Sequence, residues 1–474
     1  MKANLFDLLK THWSVAPDRQ FLVPTTGAPV TYRDIDTRSG QFAACLREDG
    51  VTPGERVILH INKSVDNVAL YLACLRVGAI VVPLNTAYTE HEMRHFIDDA
   101  DPTVVIDQSN VDSWSERATA TDPWMRSEPR LADDIAALIY TSGTTGRSKG
   151  AMITHSNLTS NALTLHAAWG FVPGDVLLHI LPIYHVHGLF VALHTAMLNA
   201  STVLFCESFE LSKVVELLPE ASVMMGVPTH YARLVGVDSF DSSLCQNIRL
   251  FTSGSAPMTE GQHVEFAERS GHQILERYGM TETGMLTSNP YDGERVAGTV
   301  GFPLPGVKLR IVDGDGAVQG PGDVGVVEVK GPNVFAGYWK LPEKTAQAHD
   351  GEWFITGDVG FADSEGRVTL EGRSGDMIIS GGLNVYPREV ELVLDAFEGV
   401  KESAVVGLPD DDFGERVHAF LVVDGDVDLA DLKSHARSQL APFKVPKQFS
   451  IIDTLPRNTM GKIQKTILRE PPSS

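Results

Sequence analysis

A run of small, hydroxyl-bearing and basic residues, TSGTTGRSKG, occupies positions 141–150 directly after a short apolar segment that predicts a buried strand. Glycine lets backbone N–H groups turn toward a ligand, and hydroxyl and ammonium groups add further donors. The pattern indicates a loop that cradles an anion such as a phosphate. A flexible surface loop is the alternative, which composition alone favours, whereas the strand before the run and the amphipathic segment after it favour a site. The expected ligand-binding positions are Thr141, Ser142, Gly143, Thr144, Thr145, Gly146 and Lys149.

Three other motifs with known chemistry fit the chain less well. GRSKG matches a serine-hydrolase elbow, but Ser148 lies well past the predicted strand and between two cations, so we disfavour a nucleophile there. Residues 320–325 have the spacing of a dinucleotide fingerprint, yet they contain a proline and lead into a strand, which predicts a turn. A Walker loop is absent, since the Gly-Lys pair that ends at Lys462 is followed by isoleucine.

Size and charge limit the classes of protein that the chain can belong to. Its 474 residues predict two or more domains, and its 43% hydrophobic content is typical of a folded globular protein. The formal net charge of -22 disfavours nucleic acid and anionic membranes as partners, because neutralising phosphates takes clustered cations. Small molecules are therefore the expected partners, and we expect a monomer or weak homodimer.

The cysteines and the N-terminal segment bear on the compartment. The chain has four scattered cysteines, Cys45, Cys74, Cys206 and Cys245. They show neither metal-ligand spacing nor a disulfide framework, which predicts reduced thiols and a cytoplasmic location. No stretch is apolar for the length of a membrane span. The first 13 residues lack the apolar region of a secretion signal and predict a short amphipathic helix with Leu5, Leu8 and Leu9 on one face.

The elements that must position the loop alternate between strands and helices. Apolar segments at 57–61, 79–84, 103–108 and 136–140 predict strands, and 66–78 and 90–100 predict helices between them. That alternation indicates a parallel sheet covered by helices. From about residue 298 short strands rich in Gly, Pro and Asp, such as 307–312 and 324–331, predict a β-rich subdomain.

A last unit begins near Arg373. We expect a helix from Pro387 with Val390, Val393, Leu394 and Phe397 on one face, strands at 403–408 and 418–423, a helix at 430–440 and a basic tail. The predicted fold is α/β: a large N-terminal domain of helix-covered mixed sheets with the β-rich subdomain, followed by a small mobile α+β domain.

Five motifs in order resemble those of one family. YTSGTTGRSKG resembles the phosphate loop of the adenylate-forming, acyl-activating superfamily, which includes acyl-CoA synthetases, luciferases and adenylation domains. The other four are ERYGMTET (276–283), FITGDVG (354–360), GRSGDMIISGGLNVYPREVE (372–391) and PRNTMGKIQK (456–465). Such enzymes join a carboxylate to the α-phosphate of ATP, so the site must neutralise two approaching anions.

The resemblance implies a role for each motif. Lys462 would bridge the carboxylate and the α-phosphate, whereas Lys465 and Arg469 are interpreted as solvated tail residues. Glu282 would hold Mg²⁺ with Thr144, since hard oxygen ligands suit that ion. Tyr278 would lie against adenine, and Asp358, assisted by Arg373, would accept bonds from the ribose.

The residues expected at the site are more numerous than these roles. We expect catalytic roles for Lys462, Glu282, Thr144 and His185. Beyond the phosphate loop, the expected ATP- or AMP-binding residues are Gly254, Ser255, Ala256, Glu276, Arg277, Tyr278, Gly279, Met280, Thr281, Asp358, Arg373 and Lys462.

The resemblance also implies a second half-reaction with coenzyme A. The C-terminal domain would rotate about a hinge at 373–376, between domains at 1–372 and 377–474, and bring in a loop of Ser380, Gly381, Gly382 and Leu383. Gly375 stands where the family usually has Asp or Lys. Glycine absorbs large backbone changes, so rotation remains plausible.

The acid is predicted from the acyl-site segments. Arg277, which precedes the Tyr-Gly of the second motif, would be an uncompensated charge beside a fatty acyl chain but can grip a second carboxylate. His185 and His187 offer further donors, with His-x-His metal binding as a less favoured reading. A salt bridge from Arg277 to Glu276 is the alternative for that residue.

The extended motifs are similar to malonyl-CoA synthetases, which implies malonate or methylmalonate as substrate, with Ser255 and Met280 at the same pocket. A ligase for another small or aromatic acid, a serine hydrolase and a nucleotide-sensing binding protein are the alternatives.

Overall fold

The computed structural model describes residues 3–141, 148–380, 383–410, 414–440, 442–458 and 461–470. Within these ranges, three sheets precede residue 374 and one follows it.

The largest sheet has nine strands and is parallel except at its two ends. Its strands, in spatial order, are Phe302–Pro303, Gly284–Ser288, Leu275–Met280, Leu250–Ser253, Val223–Gly226, Val176–His179, Thr202–Phe205, Gln20–Pro24 and Val30–Thr31. Ligands of such sheets bind outside the carboxyl ends of the parallel strands. The ends at Ser253 and His179, and the strand that contains Arg277, therefore mark one edge where a site is expected.

A second sheet carries the predicted phosphate loop. Its strands are Val104–Asp107, Arg56–His60, Ile80–Pro83, Ile135–Thr141 and Lys149–Thr154. The first four are parallel, as the alternation predicted, but the last pair is an antiparallel hairpin in which Thr141 lies opposite Lys149. The loop at 142–148 therefore connects two strands.

Helices cover both sheets. The N-terminal helices are Leu5–Trp13, Tyr32–Glu48, Val65–Val77, Glu90–Ala100, Val111–Thr119, His155–Ala168, the π-helix His187–Leu193, His194–Leu198, Leu211–Leu217, Pro228–Val235 and Glu260–Ser270, with a short 3₁₀ turn at Leu218–Glu220. The predicted N-terminal helix is confirmed: Leu5 and Leu9 are fully buried, and Leu8 packs half-buried against the same core.

The predicted β-rich region is an antiparallel sheet. Its strands are Lys308–Val312, Gly325–Lys330, Trp353–Ala362, His349–Asp350 and Val368–Arg373, with one helix, Pro342–Gln347. Residues 320–325 form the predicted turn into a strand, and Gly322 has a φ of 87° there. The register sets Asp358 opposite Arg373, which matters for the site.

The C-terminal part has its own core. Its strands are Leu383–Val385, Ile378–Ser380, Gly414–Val423, Val400–Asp410 and Gln448–Ile451, and its helices are Pro387–Asp395, Leu429–Gln439 and Lys465–Arg469. Val390 and Leu394 are buried. The prediction that Phe397 belongs to the same helix is wrong, because the helix ends at Asp395; the residue packs on that core from the following turn.

The α/β fold class is confirmed by these layers. A 3₁₀ turn, Ser374–Asp376, joins the two parts where the hinge was predicted, and a pivot at Gly375 remains a prediction. All four cysteines are buried and free. In the described ranges, no helix combines the length and apolarity that crossing a bilayer requires.

Candidate active site

The phosphate loop can be followed only at its ends. Thr141 ends one strand and Lys149 begins the next, while Ser142, Gly143, Thr144, Thr145 and Gly146 lie outside the described residues. Because the loop leads into a strand, Ser148 does not stand on the strand-to-helix turn that a nucleophile elbow requires.

Lys149 is tied to the predicted magnesium ligand through a residue that sequence reasoning missed. Its Nζ lies 4.3 Å from the ring centroid of Tyr338, whose hydroxyl donates to Glu282 Oε1 at 3.0 Å. Burial, followed by the charge of Glu282, raises the pKa of Tyr338, so this hydroxyl stays protonated and donating. The only sequence feature that could have drawn attention to Tyr338 is its place in the aromatic Gly-Tyr-Trp segment at 337–339.

Glu282 suits a cation that is shared with phosphates. It is buried, and Mg²⁺ is usually held by one or two carboxylates together with substrate phosphates and water. Among the described residues no three His, Cys, Asp or Glu side chains form a metal cluster. The residues present therefore fit a magnesium–nucleotide complex.

Tyr278, Asp358 and Arg373, which we name the ribose cluster, are brought into direct contact. Arg373 Nε lies 2.8 Å from Asp358 Oδ1, and the Tyr278 hydroxyl donates to Asp358 Oδ2. Arg373 Nη1 also donates to the Thr356 carbonyl at 2.9 Å. The predicted partners thus share one carboxylate, although the ring position of Tyr278 against adenine stays a prediction.

Lys462 reaches this cluster from the C-terminal domain. Its N–H donates to Asn458 Oδ1 at 3.0 Å, and a Cβ placed on Gly461 would lie 3.2 Å from Thr229 Oγ1. The loop therefore rests on the start of the helix Pro228–Val235. Desolvation, and then the charge of Arg373, lowers the pKa of Lys462, although its side chain still reaches solvent in the cleft.

The interpretation of the basic tail as solvated is wrong. Lys465 Nζ lies 2.6 Å from Glu391 Oε1, and Arg469 Nη2 lies 3.0 Å from Asp376 Oδ1. Both cations find carboxylates because the last helix folds back onto its own domain and the hinge. The tail thereby fixes Lys462 relative to the hinge.

Arg277 is buried and incompletely paired. Its side chain is 3% exposed, and Nε and Nη2 have no hydrogen-bond partner among the described residues. The guanidinium lies against Gly254, where a Cβ would overlap it. Burial lowers the pKa of Arg277 to about 10, so it is still a cation at neutral pH.

His185, His187 and Ser255 join Arg277 in what we name the acid pocket. His187 N–H donates to His185 Nδ1 at 3.2 Å, and Ser255 Oγ lies 3.3 Å from His187 Nδ1. Burial, and then Arg277, lowers the pKa of His185 to about 4 and that of His187 well below its ordinary value. Both imidazoles are thus neutral at pH 7 beside a cation.

Glu276 does not form the alternative salt bridge with Arg277. Its carboxylate lies 2.9 Å from His263 Nε2 and accepts from the Met258 N–H at 3.1 Å. These contacts hold the 254–258 loop against the strand that carries Glu276, and a role of Glu276 in nucleotide binding stays a prediction. The partner His263 was missed, because it lies on a helix with no local motif.

The remaining predicted residues lie around these groups. Ala256 follows Ser255, whose φ of 68° is left-handed, and Met280 packs half-buried on the main core. Thr281 lines a small cavity, and Gly279 leaves no room for a Cβ beside the Gly284 carbonyl.

The predicted coenzyme A loop lies in the C-terminal domain. Ser380 is buried at the end of one strand, and Leu383 begins the strand paired with it. Gly381 and Gly382 lie outside the described residues.

Known proteins of similar sequence and structure share this architecture. The sequence model of the AMP-binding enzyme family matches residues 9–339, and that of the AMP-binding enzyme C-terminal domain matches 389–462. A malonate–CoA ligase of Arabidopsis thaliana is 33% identical over 92% of this chain and 81% of that protein. The long-chain-fatty-acid–CoA ligase FadD13 of Mycobacterium tuberculosis is 32% identical over 98% of both.

Solved structures agree in fold and in domain arrangement. ATP-bound MatB from Rhodopseudomonas palustris is 46% identical, covers 99% of this chain and 98% of its own, and gives a TM-score of 0.96. The apo form, at 45% identity and the same coverage, gives 0.86. The present structure is thus more similar to the ATP-bound form than to the apo form.

The chain therefore belongs to the AMP-binding enzyme family. Within that class it is an AMP-forming acyl-CoA synthetase, an acid–thiol ligase, and the ATP-bound neighbour supports ATP as its nucleotide.

Proposed function

We propose that the protein is a malonate–CoA ligase that also accepts methylmalonate. One observation carries the choice of acid: the acid pocket holds a buried Arg277 whose Nε and Nη2 have no partner among the described residues. A cation in that state is costly, and a second carboxylate would accept both N–H groups in a bidentate pair. Similarity to an Arabidopsis malonate–CoA ligase and to MatB supports the same assignment.

The neutral histidines suit the same ligand. His185 and His187 would offer N–H donors without adding charge, and His187 Nε2 has no partner among the described residues. A fatty acyl chain in this place would leave Nε and Nη2 of Arg277 and Nε2 of His187 without a partner. Sites built to bond a polar group reject analogues that lack it.

In the first half-reaction, the carboxylate nearer the nucleotide attacks the α-phosphorus of ATP, and pyrophosphate leaves. Lys462 would neutralise the two anions as they meet, and the loop from Thr141 to Lys149 would hold the leaving phosphates. Glu282 with Thr144 would hold Mg²⁺, which supplies charge neutralisation on those phosphates. Asp358 and Arg373 would fix the ribose.

In the second half-reaction, the thiol of coenzyme A attacks the acyl carbonyl and AMP leaves. We expect the C-terminal domain to rotate about 373–376, with Gly375 as pivot, and to replace Lys462 by the loop at Ser380–Leu383. The pairing of Ile378–Ser380 with Leu383–Val385 brings the two ends of this segment side by side, and glycine at 381 and 382 would allow close approach of a pantetheine arm.

Pyrophosphate release over a panel of acids tests the assignment. Malonate, methylmalonate, succinate, butyrate and palmitate would be compared with ATP, Mg²⁺ and coenzyme A, and the thioester identified by mass. We expect malonate to lead and methylmalonate to follow within about a hundredfold, since one methyl changes binding by only about 1–3 kcal/mol. Equal or faster turnover of butyrate, which matches the size but lacks the second carboxylate, would reject the proposal.

The runner-up is a ligase for another acid, and FadD13 at 32% identity favours keeping fatty acids in the panel. A nucleotide-binding protein without turnover would release no pyrophosphate from any acid, and a hydrolase would act without ATP. A cytoplasmic, monomeric or weakly dimeric protein remains the prediction from composition.

A further inference from the structure

A half-buried lysine outside the residues assigned so far, Lys63, lies just behind the acid pocket. Lys63 Nζ donates to His179 Nδ1 at 2.7 Å and to the His179 carbonyl at 2.9 Å, and it lies 4.5 Å from the ring centroid of Phe205. Among the described residues no carboxylate forms an ion pair with it. Burial lowers the pKa of Lys63 to about 7, so this amine is only partly charged at neutral pH. An amine held here by His179 and without a carboxylate partner calls for a reason beyond packing.

The backbone fixes the position of Lys63 in advance. Ser64 caps the helix Val65–Val77, and its side chain accepts from the Asn67 N–H. The Asn67 side chain donates to the carbonyls of Ile61 and Asn62, each at 3.1 Å. The loop that carries Lys63 is therefore held rigidly at the junction of the two large sheets.

His179 connects Lys63 to a residue at the edge of the acid pocket. Its Nε2 lies 2.9 Å from the Gly188 carbonyl. Because Lys63 donates to Nδ1, the proton must sit on Nε2, which then donates to Gly188. Burial, and then the charge of Lys63, holds the pKa of His179 well below its ordinary value, so the ring stays neutral and this tautomer is fixed.

Gly188 is the second residue of the π-helix His187–Leu193. A side chain at this position would overlap the Pro182 carbonyl, so the segment folds back tightly here. The residue before it, His187, meets Ser255 Oγ at 3.3 Å in the acid pocket. Short π-helical segments frequently occur at functional sites. An unbroken series of contacts therefore runs from Lys63 to the pocket.

We propose that Lys63 and His179 are positioning residues of the acid site, which hold the start of the π-helix and thereby set the place of His187. The inference rests on the proposed acid pocket but not on which acid fills it. A purely structural role, joining the two sheets, is the competing explanation. It would affect stability without changing acid binding.

Variants can separate the two hydrogen bonds of His179. In His179→Gln the amide nitrogen takes the place of Nε2 and can still donate to Gly188, whereas in His179→Asn the oxygen takes the place of Nδ1 and only the Lys63 bond survives. Lys63→Met keeps the length and removes the donor. The matched control is His155→Asn, because His155 is also buried and accepts from the Leu5 N–H far from the pocket.

Steady-state kinetics of pyrophosphate release on the full-length enzyme would give KM for acid and for ATP separately, with Tm measured in parallel. For Lys63→Met and His179→Asn we expect KM for the acid to rise about tenfold, the size of one lost hydrogen bond to a charged or buried group, with KM for ATP unchanged. His179→Gln should stay close to wild type. Lys63→Met added to His179→Gln should cost little more, because Lys63 acts through the ring.

An unchanged acid KM in Lys63→Met, with Tm lowered as in His155→Asn, would overturn the inference. Nitrogen-15 NMR of labelled histidines adds a readout that needs no substrate: the His187 resonance, assigned by its loss in His187→Asn, should move in Lys63→Met. An unchanged His187 resonance in Lys63→Met would also contradict the inference.

If wild type releases no pyrophosphate with malonate but does so with another acid, the proposed substrate fails, and the same variants test the positioning role with that acid.

Discussion

The acid pocket and the ribose cluster treat buried polar groups in opposite ways. In the ribose cluster the carboxylate of Asp358 is already bonded to both Arg373 and Tyr278. In the acid pocket Arg277 and His187 keep nitrogens with no partner among the described residues. In the ribose cluster the carboxylate has its partners without a ligand, whereas the acid pocket, on our proposal, is completed by one.

This difference explains which of the two regions can distinguish one acid substrate from another. A satisfied cluster gains little from a ribose, since new hydrogen bonds share a carboxylate that is already neutralised. An incomplete pocket gains a full charge pair from the right ligand and pays the desolvation cost with the wrong one. We therefore expect acid selectivity to come from the pocket, and the ribose cluster to contribute modest nucleotide affinity.

The largest expected effect on activity comes from replacing Lys462, which belongs to neither region. Lys462→Ala should lower the rate of pyrophosphate release about 10²–10³-fold for every acid, because the charge acts on the reacting groups themselves. Lys465→Ala, which breaks the Glu391 pair in the same tail, is the control and should lose less. A loss limited to malonate would show that Lys462 belongs to the acid pocket.

Arg277→Met tests the incompleteness of the pocket directly. We expect kcat/KM for malonate to fall about 10²-fold or more, as for a truncated charge pair worth about 2–5 kcal/mol. Without ligand, the free energy of unfolding should rise by about 1 kcal/mol, because an unpaired buried cation is removed.

Arg310→Met is the matched control for that stability gain. Arg310 is paired with Glu328 and Asp350, so its loss should not stabilise the protein. Chemical denaturation of both variants measures the difference. A destabilised Arg277→Met protein would mean that the pocket is satisfied in a way that the contacts do not indicate.

Gly254→Ala tests how tightly the pocket is shaped. The new methyl would overlap the Arg277 guanidinium and displace it, and we expect about a tenfold loss of kcat/KM for malonate, or about 1.4 kcal/mol. Gly261→Ala is the control, because nothing lies within 4 Å of its added Cβ. Similar losses in both variants would point to a general effect of the substitution.

A pH series tests whether the lowered pKa of His185 makes the free energy of unfolding depend on pH. His185 has its pKa lowered to about 4 in the folded protein, so it gives stability that is present above pH 6.5 and is lost as pH falls toward 4. At pH 5.5 its share of the loss is about 1 kcal/mol, which His185→Gln should remove. Denaturation at pH 7.5 and 5.5 checks this, and equal losses in both proteins would contradict it.

The smallest effect is expected in the ribose cluster. Tyr278→Phe removes one donor to Asp358, which keeps Arg373, so KM for ATP should rise only about threefold, with the acid KM unchanged. A rise of a hundredfold would mean that the cluster is not self-sufficient, and the contrast between the regions would fail.

Local patterns predicted the elements but not their long-range partners. The alternation of apolar segments predicted the parallel strands, because burial period and strand length are written in neighbouring residues. The antiparallel pairing of the two strands that flank the phosphate loop was not predicted. The carboxylate partners of Lys465 and Arg469 were not predicted either, because they are distant in sequence. Tyr338, His263 and the Lys63–His179 pair carried no motif and were missed for the same reason.

The sequence by itself determined the fold class and the family, since these depend on residue type, order and short spacing, and it supplied the prediction of which residues bear the chemistry. Only the tertiary structure decided that Glu276 turns to His263, while Nε and Nη2 of Arg277, which lies against Gly254, find no partner among the described residues. Whether a buried charge is satisfied depends on groups that the fold brings from far along the chain, and no local pattern records that.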